Sequence, residues 1–267
     1  MNGRLFLAAL IAACAMSFGP AAGWAADWRD QGSRALIITY HVAPADRLAF
    51  RAAVRRSSLP RLEALASKGD LESYHVLVSR YVDTAAWDTM MILNFRNPDA
   101  LTRWRATEAR APAGLSPKAL RFVRDVETAP ADPMRRGGVQ RSAGDTPSVY
   151  LVTPYEVLIP TDDYLAYVDG YLLPQTDGWM SAGALRSYTL YLARYYPGRP
   201  WASLLVMEYR GDAGLARREA VVKSVRAALA ASPEWKKIAD NKAAVRIEKL
   251  AVVADDLAAG APQHDRP

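Results

Sequence analysis

Two stretches of this chain repeat one another at a fixed spacing of 114 residues, as Trp87 and Trp201 do, and a repeat constrains a fold before any single element is assigned. Leu71-Glu72-Ser73-Tyr74, Arg80-Tyr81, Trp87, Phe95-Arg96 and Leu101 recur as Leu185-Arg186-Ser187-Tyr188, Arg194-Tyr195, Trp201, Tyr209-Arg210 and Leu215, without a gap. The same spacing pairs Leu59-Pro60 with Leu173-Pro174 and Gly69 with Gly183. One copy therefore occupies just over a hundred residues, the size of a small domain.

Each copy reads as the same series of elements. In the first, Leu36 to Val42 is apolar, β-branched and aromatic and stops before Pro44, which predicts a strand and a turn. A helix starts at Asp46, carries Leu48, Phe50 and Val54, breaks near Pro60 and resumes through Leu62 and Leu65 to Gly69. Leu71 to Val82 and Trp87 to Arg96 form a hairpin. Asn97-Pro98-Asp99 has the capping side chain, proline and acid of a helix start, and a strand from about Leu120 to Thr128 closes the unit. The second copy offers a strand over Tyr150 to Ile159, a helix over Thr161 to Leu172 and a hairpin from Leu185 to Tyr196 and Trp201 to Arg210. Asp212 then caps a long helix carrying Leu215, Val222, Val225 and Leu229, Ser232-Pro233 restarts it, and Ile247 to Ala254 is the final strand.

The expected organisation is a signal peptide over 1–25, a first unit over 34–128, a linker over 129–148, a second unit over 149–257 and a disordered tail over 258–267. The leader has Arg4, an apolar run from Leu5 to Phe18 and small residues near Ala25, which predicts export to the periplasm or beyond. Ile11-Ala12-Ala13-Cys14 also resembles a lipoprotein processing box that would acylate Cys14. That cysteine is the chain's single one, so cleavage after Ala25 leaves no thiol for disulfides, zinc-thiolate sites or nucleophilic chemistry. No later stretch is long and apolar enough for a transmembrane helix. The net charge of +6, or +5 once Arg4 is removed, is dispersed along the chain. A nucleic-acid surface needs its basic residues gathered on one face, so none is expected.

The order βαββαβ is that of the ferredoxin-like split unit, an antiparallel sheet with both helices on one face. Val76, Leu77 and Val78, with Leu190, Tyr191 and Leu192, put bulky side chains on both faces of each hairpin, so the second face also needs a cover. Two sheets packed face to face satisfy both copies. With the element order, the repeat, Val42-Ala43-Pro44 and Trp87, the chain resembles the dimeric α+β barrel superfamily, here fused in tandem as an intramolecular barrel. The resemblance implies a fold that hosts haem-degrading and cofactor-free monooxygenases, chlorite dismutase relatives, dye-decolourising peroxidases, isomerases and members of unknown activity, so fold alone does not choose.

The residues narrow that choice. Haem relatives with tandem units imply an axial histidine in the carboxyl-terminal half, where this chain has only His264 in its tail. The peroxidases' Gly-x-x-Asp-Gly is matched only by Ala166-Tyr167-Val168-Asp169-Gly170, which lacks the first glycine. His41 and His75 stand in separate strands without metal-ligand spacing, and no phosphate loop or nucleophile elbow is present. No cofactor or metal is therefore expected. The more polar strand faces, if turned inward, gather Thr39, His41, Ser73, His75, Asn94 and Arg96 from the first copy and Thr153, Tyr155, Ser187, Tyr191, Glu208 and Arg210 from the second. Such a space would hold a small hydrophobic or aromatic ligand. His41 or His75 could act as general base, with Arg96 or Arg210 stabilising an enolate or carboxylate, in a cofactor-independent monooxygenase or isomerase acting on an activated phenol or ketone. A structural or partner-binding module with a filled core is the third reading. The residues retained in both copies, Trp87 and Trp201 with Arg80, Arg194, Arg96 and Arg210, are expected to serve folding, as core plugs and ion pairs.

Overall fold

Strand pairing turns the two copies into one closed wall. The computed structural model describes residues 32–139 and 145–258. The expected leader with Cys14 and the tail beyond Ala258, His264 included, lie outside the described residues. In the first copy, β1 (Ala35–Val42), β2 (Leu71–Ser79), β3 (Thr89–Phe95) and β4 (Val123–Gly138) pair in the order β4-β1-β3-β2. In the second, β5 (Val149–Val157), β6 (Leu185–Ala193), β7 (Ser203–Tyr209) and β9 (Val252–Asp256) pair in the order β9-β5-β7-β6, while the short β8 (Arg246–Glu248) pairs with the other end of β5. β4 meets β6 and β2 meets β9, which closes eight antiparallel strands into a barrel with the helices outside.

The two seams explain residues that the repeat preserves. Arg80 of the first copy donates from Nε to both oxygens of Asp255 at 2.9 and 3.0 Å and also binds Asp212. Its counterpart Arg194 donates to Asp132 of β4 at 2.5 Å. Each arginine thus ties its own hairpin to the other copy's last strand.

β4 also corrects the expected linker, because Ala129 to Gly138 continue as strand. Val123 to Ala131 pair with β1, and Ala131 to Gly138 pair with β6, so one long strand serves both sheets. Its prolines and glycines look like loop, but Pro133 falls at a register shift, where a missing amide is tolerated. The alanines 129 and 131 are buried inside the barrel.

Period-two alternation sorts the side chains. Ala35, Ile37, Leu77, Met90, Ile92, Val152, Leu204, Val206 and Val252 fill the barrel, joined by Trp87 and Trp201. Leu36, Ile38, Tyr40, Met91, Leu93 and Phe95 point outward beneath α1 (Arg47–Ser67) and α2 (Pro98–Glu108), which contribute Phe50, Val54, Leu62 and Trp104. Asn97 caps α2 by accepting from the Ala100 amide at 2.9 Å.

Several helices depart from expectation. α1 runs unbroken through Pro60, because that proline and Arg56 are both on the exposed side, where water can reach the carbonyl left without an amide. It ends at Gly69, whose φ of +78° permits the turn in which the Gly69 amide donates to Ala66 and the Asp70 amide to Leu65. The second copy repeats this at Gly183, with φ of +69° and the Ala184 amide donating to Trp179. α3 is the short Pro117–Leu120. In the second copy α4 (Thr161–Tyr167) does not stop at Leu172 but continues through a π turn, Val168–Leu172, into α5 (Leu173–Ser181). Asp212 does not cap: it lies inside α6 (Gly211–Ala216), where its side chain answers Arg80. The apolar stripe predicted beyond it lies mostly on a separate helix, α7 (Arg218–Leu229), and is only half-covered. α8 (Pro233–Asp240) starts as expected, with Ser232 accepting from the Trp235 amide, and α9 (Lys242–Val245) leads into β8. The expected single last strand is broken between Glu248 and Val252.

Candidate functional site

The inner face of the barrel is apolar in its middle and polar toward one end. Asn94 and Glu208 stand there near the ends of β3 and β7, Tyr150 near the start of β5, and β2 and β6 contribute Ser73, His75, Ser187 and Tyr191. Asp256 lies opposite Leu77 across the β2–β9 seam, so its side chain reaches His75, the diagonal neighbour on the same face.

His75 is the centre of this group. Its Nδ1 lies 2.8 Å from Asp256 Oδ2, and the other Asp256 oxygen accepts from the amides of Val76 and Ala258 at 3.1 and 2.9 Å. Since an ionised carboxylate only accepts, Nδ1 carries the proton, and Nε2 has no hydrogen bond from the described residues. The His75 side chain is 26% exposed while that of Asp256 is 6% exposed, so the dyad is anchored inside and reachable outside. Burial alone would depress the imidazole pKa, but the Asp256 carboxylate, with a smaller contribution from Glu208, lifts it above its ordinary value. Conversely, burial would raise Asp256, and the His75 contact and the two amides hold it below the usual carboxylate range. The Tyr150 ring lies 5.4 Å from the imidazole.

Two further networks flank the dyad. Glu208 accepts from Ser187 Oγ at 2.6 Å and from Ser148 Oγ, and faces the Arg186 guanidinium at 3.4 Å. Asn94 Nδ2 donates to Ser73 Oγ at 2.9 Å and to Tyr191 Oη at 3.1 Å, while Tyr191 donates back to Asn94 Oδ1 at 3.2 Å. Burial pushes the Tyr191 phenol up to about 12, so it remains a neutral donor. Arg136, paired with Glu72 at 2.8 Å, and Arg34 stand at the rim.

The structure brings Asn94, Tyr191, Glu208 and His75 to this end, but not His41. That residue also faces inward, yet it lies opposite Asp125, four positions along β1 from Ile37, which shares its Ile92 partner with His75. At about 3.3 Å per residue this is a separation of roughly 13 Å along the strand. His41 instead lines a cleft of about 40 Å³ with Arg47, Trp87, Asp88 and Arg124. Thr39 lies between, its hydroxyl at 3.5 Å from the Glu127 carbonyl.

Two placements differ from the expected face. Thr153 and Tyr155 point outward, because Val152 occupies the interior. The 114-residue spacing slips to 115 in the first strands: Tyr40 opposes Thr89, and Tyr155 opposes Ser203. Tyr155 is therefore the counterpart of Tyr40, and His41 corresponds to Glu156. Arg96 and Arg210 lie beyond their strands, outside the inner wall. Arg96 donates to the Gly69 carbonyl at 3.2 Å, whereas at Gly183 that position is taken by Arg217 at 3.0 Å.

Asp256, Tyr150, Ser148 and Arg186 belong to the site and were not singled out by the sequence. The alternation Val252, Ala254, Asp256 was the available signal, but the expected strand stopped at Ala254. Among the described residues no three His, Cys, Asp or Glu side chains gather to hold a metal. A haem does not fit the described histidines either: His41 opens onto that small cleft, and His75 is tied to Asp256 and packed against Tyr150 above a filled interior.

Neither a protein-family model nor a curated protein matches the chain. Solved structures do. A monooxygenase-like protein from Lactobacillus acidophilus NCFM is 13% identical with a TM-score of 0.52, covering 85% of this chain and 94% of its own. An anthrone oxidase-like protein is 12% identical with a TM-score of 0.50, covering 84% and 90%. A haem-binding protein from Thermus thermophilus is 10% identical with a TM-score of 0.49, covering 86% and 93%.

Proposed function

From the premise that this chain has the fold of the dimeric α+β barrel superfamily, we propose that it is an exported protein binding a small hydrophobic or aromatic molecule with an acidic oxygen at the polar end of its barrel. The observation that carries the reading is the His75–Asp256 dyad on the inner face, with Nε2 unengaged and the imidazole partly open to solvent. A protonated His75 would meet a phenolate, enolate or carboxylate at the mouth of the barrel, and the Tyr150 ring beside it would take the apolar part of the molecule. Glu208 does not compete for the ligand's proton, because Ser148, Ser187 and Arg186 already occupy its oxygens. Export adds that the working form begins after about Ala25, which mass measurement of the chain recovered from a bacterial periplasm would check.

Titration calorimetry with 1-naphthol and 2-naphthoate tests the binding. Saturable binding weakened at least about tenfold in His75→Ala is expected. No binding of either compound, or affinity unchanged in His75→Ala, refutes it.

The same dyad favours a second reading, a cofactor-independent monooxygenase or isomerase acting on an activated phenol or ketone. Asp256 would fix the tautomer so that Nε2 takes the substrate proton and the electron pair stays on the substrate, while Asp256 stabilises the imidazolium. The names of the L. acidophilus and anthrone oxidase-like neighbours are in keeping with this chemistry. Oxygen consumption with anthrone as substrate separates the readings: binding alone consumes none, and turnover that survives His75→Ala removes His75 as base.

A further inference from the structure

We propose that Arg246 and the tyrosines around it form a second binding site, for a small carboxylate, on the outer side of the barrel's second half. Arg246 opens β8 and turns its guanidinium under α4 and the π turn, with Cζ 3.9 Å from the centre of the Tyr155 ring, 5.7 Å from that of Tyr167 and 6.0 Å from that of Tyr171. Tyr164, Tyr167, Tyr171 and Trp235 continue as a stack with centroids 6.0, 5.1 and 5.3 Å apart. Arg246 has no carboxylate partner among the described residues, and its Nη1 is buried with no hydrogen bond. A guanidinium remains charged in any protein environment, and a charge without an anionic partner away from water is unfavourable, so the π faces and the hydroxyls of Tyr155 and Tyr164 offset only part of its cost.

A second, independent observation points to a missing ligand. Tyr167 is 6% exposed, and its hydroxyl is also buried without a partner. Its neighbours are satisfied: Tyr164 donates to Ser203 Oγ at 3.0 Å, and the Trp235 indole donates to the Tyr171 carbonyl at 3.3 Å. The cage thus holds one cation and two unanswered donors, Nη1 and the Tyr167 hydroxyl. A carboxylate supplies one negative charge and two acceptor oxygens. Arg246 as a residue keeps some exposure, which gives such an anion a way in. The π turn at Val168–Leu172 lies in the wall of this cage, and π turns concentrate at functional sites.

The fold does not require the cage. In the first copy the positions equivalent to Tyr164, Tyr167 and Tyr171 are Phe50, Ala53 and Ser57, and Tyr40, the counterpart of Tyr155, gives its hydroxyl to the Ala113 carbonyl at 2.6 Å. There the tyrosine hydroxyl is answered by a backbone carbonyl rather than left facing a cation.

Thermal-shift titration of the processed chain with sodium acetate, against sodium chloride at equal ionic strength, tests the proposal. The melting temperature should rise saturably with acetate and not with chloride. Tyr167→Phe removes an unanswered hydroxyl, so it should melt within about a degree of the wild type without ligand yet bind acetate at least about fivefold more weakly. Arg246→Lys should lose the acetate response, and His75→Ala should keep it, which separates this site from the one at the barrel's end. A response that is absent, shared with chloride, insensitive to Tyr167→Phe, or abolished by His75→Ala overturns the proposal.

Discussion

Replacing Asp256 by Asn should reverse the sign of His75's contribution to stability near neutral pH. In the wild type the imidazole is lifted above 6.5 by a carboxylate 2.8 Å away, against the opposing effect of burial. A group whose folded pKa is raised contributes stability that is complete below its unfolded pKa and is lost as pH rises through the folded value. Asp256, held low, contributes above its unfolded value of 3.8 and loses that contribution as pH falls through its folded pKa. The pair is therefore worth most between about pH 4 and 6.5. A hydrogen bond to a charged group contributes about 1.5–3 kcal/mol, and its loss should lower the His75 pKa. With Asn at 256, burial becomes the dominant influence and the imidazole should titrate below 6.5. The variant's stability should then rise with pH on the approach to 6.5 from below, whereas the wild type keeps its stability there and loses it above 6.5. At pH 6 the variant should lose about 1.5–3 kcal/mol, roughly 3–12 °C in Tm for a chain of this size. NMR titration of the His75 ring protons and denaturant unfolding at pH 6 and 8.5 are the assays. A His75 pKa unchanged in Asp256→Asn would refute the dyad as the cause of the shift.

The remaining predictions concern the scaffold. Gly69→Ala and Gly183→Ala should each cost about 1–2 kcal/mol for a left-handed backbone; a new Cβ would meet nothing closer than 3.8 Å at either site, so the two losses should match in unfolding curves. Trp201→Ala should cost about 3–5 kcal/mol, because its side chain is buried in the barrel core, and a loss below about 1 kcal/mol would contradict that packing. Tyr191→Phe removes a bond that ties the two copies, Asn94 to Tyr191, and should cost about 1–3 kcal/mol by chemical denaturation. Ultraviolet titration should lose one late-titrating phenol near pH 12 in the same variant, since Tyr191 is pushed up to about 12.

The repeat made the fold legible because its retained residues answer to local physics and to the seams. Gly69 and Gly183 mark the same left-handed helix exit, Trp87 and Trp201 fill the same core, and Arg80 and Arg194 bind the last strand of the opposite copy. Alternation alone put Thr39, His75, Asn94 and Tyr191 on the more polar faces of their strands, and the closed barrel decided that those faces turn inward. Pro60 and the Pro- and Gly-containing stretch of β4 misled for a common reason: composition records what a residue cannot donate, and only the surroundings record whether a donor was needed there.

What the sequence could not carry is contact between strands far apart in the chain. His75 and Asp256 are 181 positions apart, and the repeat gives no hint of their meeting, since each comes from a different copy and the seam alone brings them within 2.8 Å. The slip of one residue between β1 and β5 likewise moved Tyr155 to the outer face, because one position of register inverts every side chain of a strand. Sequence by itself determined the two units, their element order and the alternation that makes a barrel wall. The closed pairing of the strands decided which polar residues meet, because register across the seams is set by the packing of both copies at once and by no local pattern in either.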